Sequence, residues 1–264
     1  MNQPLAYVHP EAKIADNVVI EPFVTIQKDV EVGAGTWLGS NSTIMEGARI
    51  GKNNKIFPGA VIAAIPQDLK FKGEKTFVKI GDNNIIREFV TINRGTKANN
   101  ETVIGNNNLI MAYVHLAHDC IVNDNCILAN NVALAGHIEI MNWAIIGGQV
   151  AVHQFVNIGT HSFISGGTLV RKDVPPFTKA AREPISYAGI NSIGLRRRGY
   201  APEAINQIQD IYRHIYLRHM NVSQAMEYIE AEIPATPERD EILSFIQNSS
   251  RGVMRGPVMR RVNH

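Results

Sequence analysis

From Val8 to Val170 a large aliphatic residue returns at every sixth position of the chain. The series opens with Val8, Ile14, Ile20 and Ile26 and closes with Val152, Ile158, Ile164 and Val170; its register fails only at Asp68, Glu74 and Ala98. A period of six fits neither the 3.6-residue helix nor the two-residue alternation of a single strand. It is the hexapeptide signature of a parallel β-helix, a solenoid in which each coil buries its aliphatic residues against the next.

A second regular position falls four residues after each aliphatic and holds small or β-branched residues, among them Ala12, Val18, Val24, Val114, Cys120 and Cys126. Gly, Asn and Asp are frequent between the two positions, as at Gly81-Asp82-Asn83, and these types tolerate tight, left-handed corners. Three hexads closing a triangle would give a coil of about 18 residues. The pattern pauses over 63–79 and 93–103, both polar and basic, and resumes in the same register after each. Both read as loops that leave the prism and return, and insertions of this kind cluster on a binding face. After Val170 the repeat gives way to Asp-Val-Pro-Pro at 173–176, and 177–199 read as irregular. Pro202 suits the first turn of a helix, Ile205, Ile208, Ile211 and Ile215 follow at helical spacing, and further short helices are expected near 222–232 and 237–248. The organisation expected is a mainly β solenoid domain over 1–190 and a small C-terminal α-helical domain over 191–264.

The period also serves as a ruler, because residues one coil apart lie about 4.8 Å from each other. His137 is 19 residues beyond His118, one coil up and one residue over, and Gln154 is two coils beyond His118 with His153 beside it. His118, His137 and His153/Gln154 are therefore expected along one edge, and His161 on another. Asp119 adjoins His118, and a carboxylate beside an imidazole orients it. Residues adjacent in a strand point to opposite sides, so this pairing needs a corner.

Composition narrows the partners. A net charge of +2 gives no basic field for nucleic acid. The N-terminus lacks a basic segment followed by an apolar run, so no signal peptide is expected. No apolar stretch reaches the ~18 residues of a membrane span. Cys120 and Cys126 both take the small-residue position and read as buried free thiols in a reducing compartment.

Several motifs lie along this beat in a fixed order. They are Pro-Gln-Asp-Leu-Lys at 66–70, Asn-Arg-Gly-Thr at 93–96, His-Leu-Ala-His-Asp-Cys at 115–120 and Ala-Gly-His at 135–137, followed by His-Gln-Phe at 153–155, Asp-Val-Pro-Pro and Arg-Arg-Gly at 197–199. Together they resemble the UDP-N-acetylglucosamine O-acyltransferase family of lipid A synthesis. The resemblance implies a left-handed, triangular prism and transfer of a (3R)-3-hydroxyacyl chain from an acyl carrier protein thioester to the glucosamine 3-hydroxyl. It implies His118 as general base with Asp119 as its partner, Gly136 as oxyanion donor, and His115 and His137 at the substrate. Asp68 and Lys70 match sugar or acyl contacts; His153, Gln154, Asn191 and Arg198 match substrate and nucleotide contacts; Arg197 matches a carrier-protein contact; Gly166 matches the position that limits acyl length. It further implies no cofactor and no metal, a cytoplasmic homotrimer with sites between subunits, and acyl carrier protein and UDP-N-acetylglucosamine as partners. Two places depart from the family pattern, Ala181-Arg182-Glu183-Pro184 and Ile193, both on the nucleoside side. Three other readings share the prism: an acyltransferase for another nucleotide sugar or an amine acceptor, a zinc enzyme of the γ-carbonic-anhydrase type, whose metal would need three histidines, and a non-catalytic structural or trimerisation solenoid.

Overall fold

The computed structural model describes residues 5–218 and 220–257, so the outermost parts of the two expected domains fall outside it. Two-residue strands centred on the aliphatic series stack into three parallel sheets of nine, eight and ten strands, the last including one reversed strand. The chain visits the sheets in rotation. Tyr7–Val8 lies on the first face, Lys13–Ile14 on the second and Val19–Ile20 on the third, before Thr25–Ile26 returns to pair with Tyr7–Val8. Each coil thus takes 18 residues, and the fold is a left-handed β-helix. The aliphatic column is buried along its length, with Ile26, Ile44, Ile62, Ile92 and Leu116 fully enclosed on the first face.

From Phe23 onward most hexads turn their corner through a residue in the left-handed backbone region, many at φ near 60°. Asn fills many of these places at little cost, but Phe89, Tyr113, Asp119, His137, Trp143, Phe155 and His161 fill others. Of these, Asp and His tolerate φ > 0, but the aromatic types adopt it rarely. Inside the corner between second and third faces, Asn54, Asn84 and Asn108 form a buried ladder. The Oδ1 atoms of Asn54 and Asn84 accept from the N–H of the next rung, and Asn108 Oδ1 accepts from Cys126 N–H. Both cysteines are buried and free, and burial pushes each thiol up to about 12.

Both interruptions leave the prism at the same corner, between first and second faces. Strand Val61–Ala64 on the first face is followed by Phe77–Ile80 on the second, and Thr91–Asn93 by Glu101–Ile104. The excursions are shorter than expected, because Phe77 and Val78 pair with Glu101 and Thr102 and draw both loop ends into the sheet.

The stretch 177–199 is not irregular. Strand Thr178–Ala181 joins the third face in parallel with Phe163–Ile164, and strand Ser186–Ile190 turns back antiparallel against it. Phe177 takes the left-handed corner place only 16 residues after His161, so the last coil is shortened and the hexad count is lost. Helix α1 (Ser192–Arg197) follows, capped by Asn191, and then α2 (Pro202–Leu217), α3 (Val222–Glu232) and α4 (Pro237–Gln247). Pro at the first turn starts both α2 and α4. Helix α2 buries Ile205, Ile208, Ile211, Tyr212 and Ile215, and the Tyr212 hydroxyl donates to the Pro176 carbonyl, tying the helices to the end of the prism.

Candidate active site

The corner between first and second faces carries Asp119, His137 and Phe155 in successive left-handed places, with His118, Gly136 and Gln154 immediately before them. The turn resolves the problem of adjacency. Asp119 is turned by its positive φ so that Oδ2 lies 2.7 Å from Nδ1 of His118. The His137 ring stands edge-on to that of His118 at 5.2 Å, with Nε2 3.7 Å from Asp119 Oδ2. Phe155 stacks on His137 at 4.7 Å and 13°.

Asp119 is fully enclosed, while the side chains of His118 and His137 are 15% and 20% exposed. Loop 94–100 supplies the enclosure. Thr96 donates from N–H and Oγ1 to the two carboxylate oxygens at 3.0 and 2.7 Å, and Asn99 N–H donates at 3.3 Å. Burial pushes the Asp119 carboxyl up, but the hydrogen bonds from Thr96 and His118 and the nearby His137 outweigh it and hold it below the usual carboxylate range. The group is thus an anchored carboxylate. Its bond fixes the His118 tautomer: Nδ1–H donates to Asp119 and Nε2 is left as a free base.

Gly136 lies against the imidazole. A Cβ there would fall 2.6 Å from His118 Cε1, so only glycine leaves the ring its place. The amide matters as much. At the corner between second and third faces the equivalent N–H groups of Asp82, Asn106 and Asp124 donate to Asn or Asp side chains of the following coil. Gln154 follows Gly136 and makes no such bond, so among the described residues the Gly136 N–H has no acceptor. An imidazole nitrogen and an amide without an acceptor therefore lie close together.

Beside His137 lies a cleft of about 680 Å³, lined also by Asp68, Lys70, Phe71, Thr96 and Lys97. The two loops form its walls. Arg94 staples them, with its guanidinium carbon 5.5 Å from the Phe71 ring centroid and Nη1 donating to the Glu46 carbonyl. The Asn93 amide donates to the Ile65 carbonyl.

Residues 173–254 match the family model "Udp N-acetylglucosamine O-acyltransferase; Domain 2", and 29–64 and 101–136 match the bacterial transferase hexapeptide repeat. The acyl-(acyl-carrier-protein)–UDP-N-acetylglucosamine O-acyltransferase of Myxococcus xanthus is 40% identical over 96% of this chain and 98% of its own. The chain belongs to the UDP-N-acetylglucosamine O-acyltransferase family. The enzyme of that name from Thermodesulfovibrio yellowstonii is 44% identical over 95% of this chain and 97% of its own. Among solved structures, LpxA of Bacteroides fragilis is 54% identical with a TM-score of 0.95, covering 97% of this chain and all of that one. The Francisella novicida acyltransferase is 43% identical at the same TM-score, over 98% and 95% of the two chains.

The remaining residues singled out in this acyltransferase do not all meet at the His118 corner. His115 lies on the adjoining first face, with Nδ1 2.7 Å from Thr91 Oγ1, and burial lowers its pKa. His153 is exposed and contacts the Gln154 carbonyl. Gly166 belongs to the corner between third and first faces, where a Cβ would begin 3.0 Å from the Gly148 carbonyl. Asn191 and Arg198 belong to the corner between second and third faces. Asn191 is buried as the α1 cap and donates to the His161 carbonyl, Arg198 lies over Trp143, and Arg197 is exposed. Within one chain the set is spread over three corners. Sequence reasoning overlooked Thr96, Phe155 and Trp143. Phe155 and Trp143 were within reach, since 155 is one coil beyond 137 and 143 one coil before 161.

Proposed function

We propose that the chain transfers a (3R)-3-hydroxyacyl group from an acyl carrier protein thioester to the glucosamine 3-hydroxyl of UDP-N-acetylglucosamine, with His118 as general base. The observation that carries this reading is the His118 imidazole, held by Asp119, close to a Gly136 N–H that has no acceptor. Nε2 takes the proton of the attacking sugar hydroxyl as its oxygen bonds to the thioester carbonyl. Asp119 stabilises the imidazolium, and Gly136 N–H donates to the carbonyl oxygen as it becomes an oxyanion. The C–S bond then breaks, and the imidazolium returns the proton to the departing carrier-protein thiolate. His137 and the loop residues Asp68 and Lys70, all at the cleft, orient the acceptor and the acyl chain. No covalent acyl-enzyme is required.

The three-corner distribution supports a homotrimer with each site between two prisms. His118 and the loops would come from one subunit, and Gly166, Asn191, Arg197 and Arg198 from faces presented by another. No described helix is long and apolar enough to cross a membrane, and the reaction we propose belongs in the cytoplasm, where its donor is made.

His118, Asp119 and His137 have ligand atoms close enough together to hold a metal ion, which keeps the zinc reading in view. Against it, the Asp119 oxygens already accept from Thr96, Asn99 and His118, which leaves few lone pairs for a cation. Incubation with UDP-N-acetylglucosamine and a panel of hydroxyacyl carrier proteins of graded length, with products read by mass, tests the function and the room left at Gly166 together. Failure to acylate the sugar with any donor, or stoichiometric zinc with bicarbonate turnover, overturns the reading.

A further inference from the structure

Three arginines follow one another at 196–198, but only Arg198 folds back; Arg196 and Arg197 are exposed. The Arg198 guanidinium carbon lies 5.0 Å from the centroid of the Trp143 ring. Trp143 occupies a left-handed corner place, and His161 occupies the same place one coil later. Their rings are parallel within 3° at 6.1 Å. Phe177 continues the stack beyond His161 at 5.8 Å, and Tyr200 closes it edge-on. The column is a rigid aromatic wall running up one corner, with a cation laid against its end.

A second observation concerns what this assembly lacks. Arg198 Nη1 and His161 Nδ1 are both buried and have no hydrogen-bond partner among the described residues. Buried guanidinium N–H groups are ordinarily satisfied. Arg198 therefore holds an unused donor in a fixed plane. A guanidinium packed over an indole has lost much of its rotamer freedom before any ligand arrives, and its fork can donate to two oxygens of a phosphate. The neighbouring imidazole adds no competing charge at neutral pH, because burial and Arg198 hold it down at about 4.

We propose that Trp143, backed by His161, is a positioning residue that fixes the plane of the Arg198 guanidinium for a phosphate of the nucleotide sugar. The inference rests on the reading of Arg198 as a nucleotide contact. It differs from a direct role for Trp143, which is 39% exposed and could itself stack on a nucleobase.

The test is a double-mutant cycle on the full-length enzyme, with kcat and the KM values for UDP-N-acetylglucosamine and for acyl carrier protein substrate measured separately. Trp143→Ala is expected to raise the nucleotide-sugar KM by roughly threefold to thirtyfold, the range of a cation–π contact from exposed to desolvated. kcat and the donor KM stay close to wild type. Trp143→Phe keeps a ring in place, recovers most of the loss and controls for folding. In the Arg198→Ala background, Trp143→Ala adds nothing further, because the platform has nothing left to hold. An unchanged KM in Trp143→Ala beside a raised one in Arg198→Ala overturns the proposal and leaves the role of Arg198 standing. Penalties that multiply in the double variant overturn it in favour of direct contact. If Arg198→Ala leaves the KM unchanged, the reading of Arg198 fails and the platform with it.

Discussion

In the mechanism we propose Asp119 acts only while ionised, and its neighbours decide whether it is. Its folded pKa lies below the ordinary carboxylate value, so its contribution to stability is present above the unfolded value and is lost only as pH falls through the lowered folded one. Across the neutral range His118 therefore keeps its acceptor. We expect His118→Ala to fold with an unchanged melting temperature and to lose about 10² to 10⁴ in kcat; near wild-type turnover would dismiss the imidazole as the base. His161 is also shifted down, but there it is the uncharged form that is favoured. Burial and Arg198 lower it to about 4, while an unfolded histidine titrates near 6.5. The unfolded chain thus binds the extra proton between those values, and the stability due to neutral His161 is full above pH ~6.5 and drains away towards pH 4. His161→Phe, which keeps the stack, should show a smaller fall in melting temperature between pH 7 and 4.5 than wild type; equal falls would contradict this. At this scale the sequence was readable where the six-residue ruler applied. His118 and His137 could be set side by side by counting, whereas Thr96 could not, because it stands in a loop that has left the ruler.

The two loops illustrate how elements divide the work. The prism has fixed spacing and cannot enclose a ligand by itself, so its walls come from segments that depart at one corner and are held by side chains. Arg94 is the main staple, reaching Phe71 and the Glu46 carbonyl from the second loop. Arg94→Ala should leave thermal unfolding of the prism within a few degrees of wild type, raise the KM for both substrates severalfold and speed proteolytic cutting within 65–76; protection equal to wild type would show that the staple is dispensable. The shared corner was legible in the pattern, because Ile62 to Ile80 and Ile92 to Ile104 are the same step in a three-hexad rotation and both loops fall in that step. The final hairpin was not legible. Thr178–Ala181 continues the third face after a shortened coil, so its residues no longer fall on multiples of six from Val8.

At the scale of the molecule, the separation of His118 from Gly166 and Arg198 makes a specific demand. If complete sites form only between copies, His118→Ala and Arg198→Ala chains, each impaired at subsaturating nucleotide sugar, should complement each other when unfolded and refolded together. Random mixing in a cyclic trimer pairs one intact half with the other in about a quarter of sites, and a mixture no more active than the average of its parents would argue that each chain works alone. A parallel coil, moreover, has no inherent last turn. Every coil presents on its upper rim the same unpaired amides and carbonyls that the next would use. Here strand Ser186–Ile190 runs against the grain of the stack, and the chain after it departs into helices. That reversal is a terminator: it sets the length of a structure whose repeat could otherwise propagate from molecule to molecule. A chain ending before Ser186 should scatter light and bind amyloid dyes as its open rims join. If it remained dispersed and monodisperse, containment of growth would have to be credited to something other than the reversed strand.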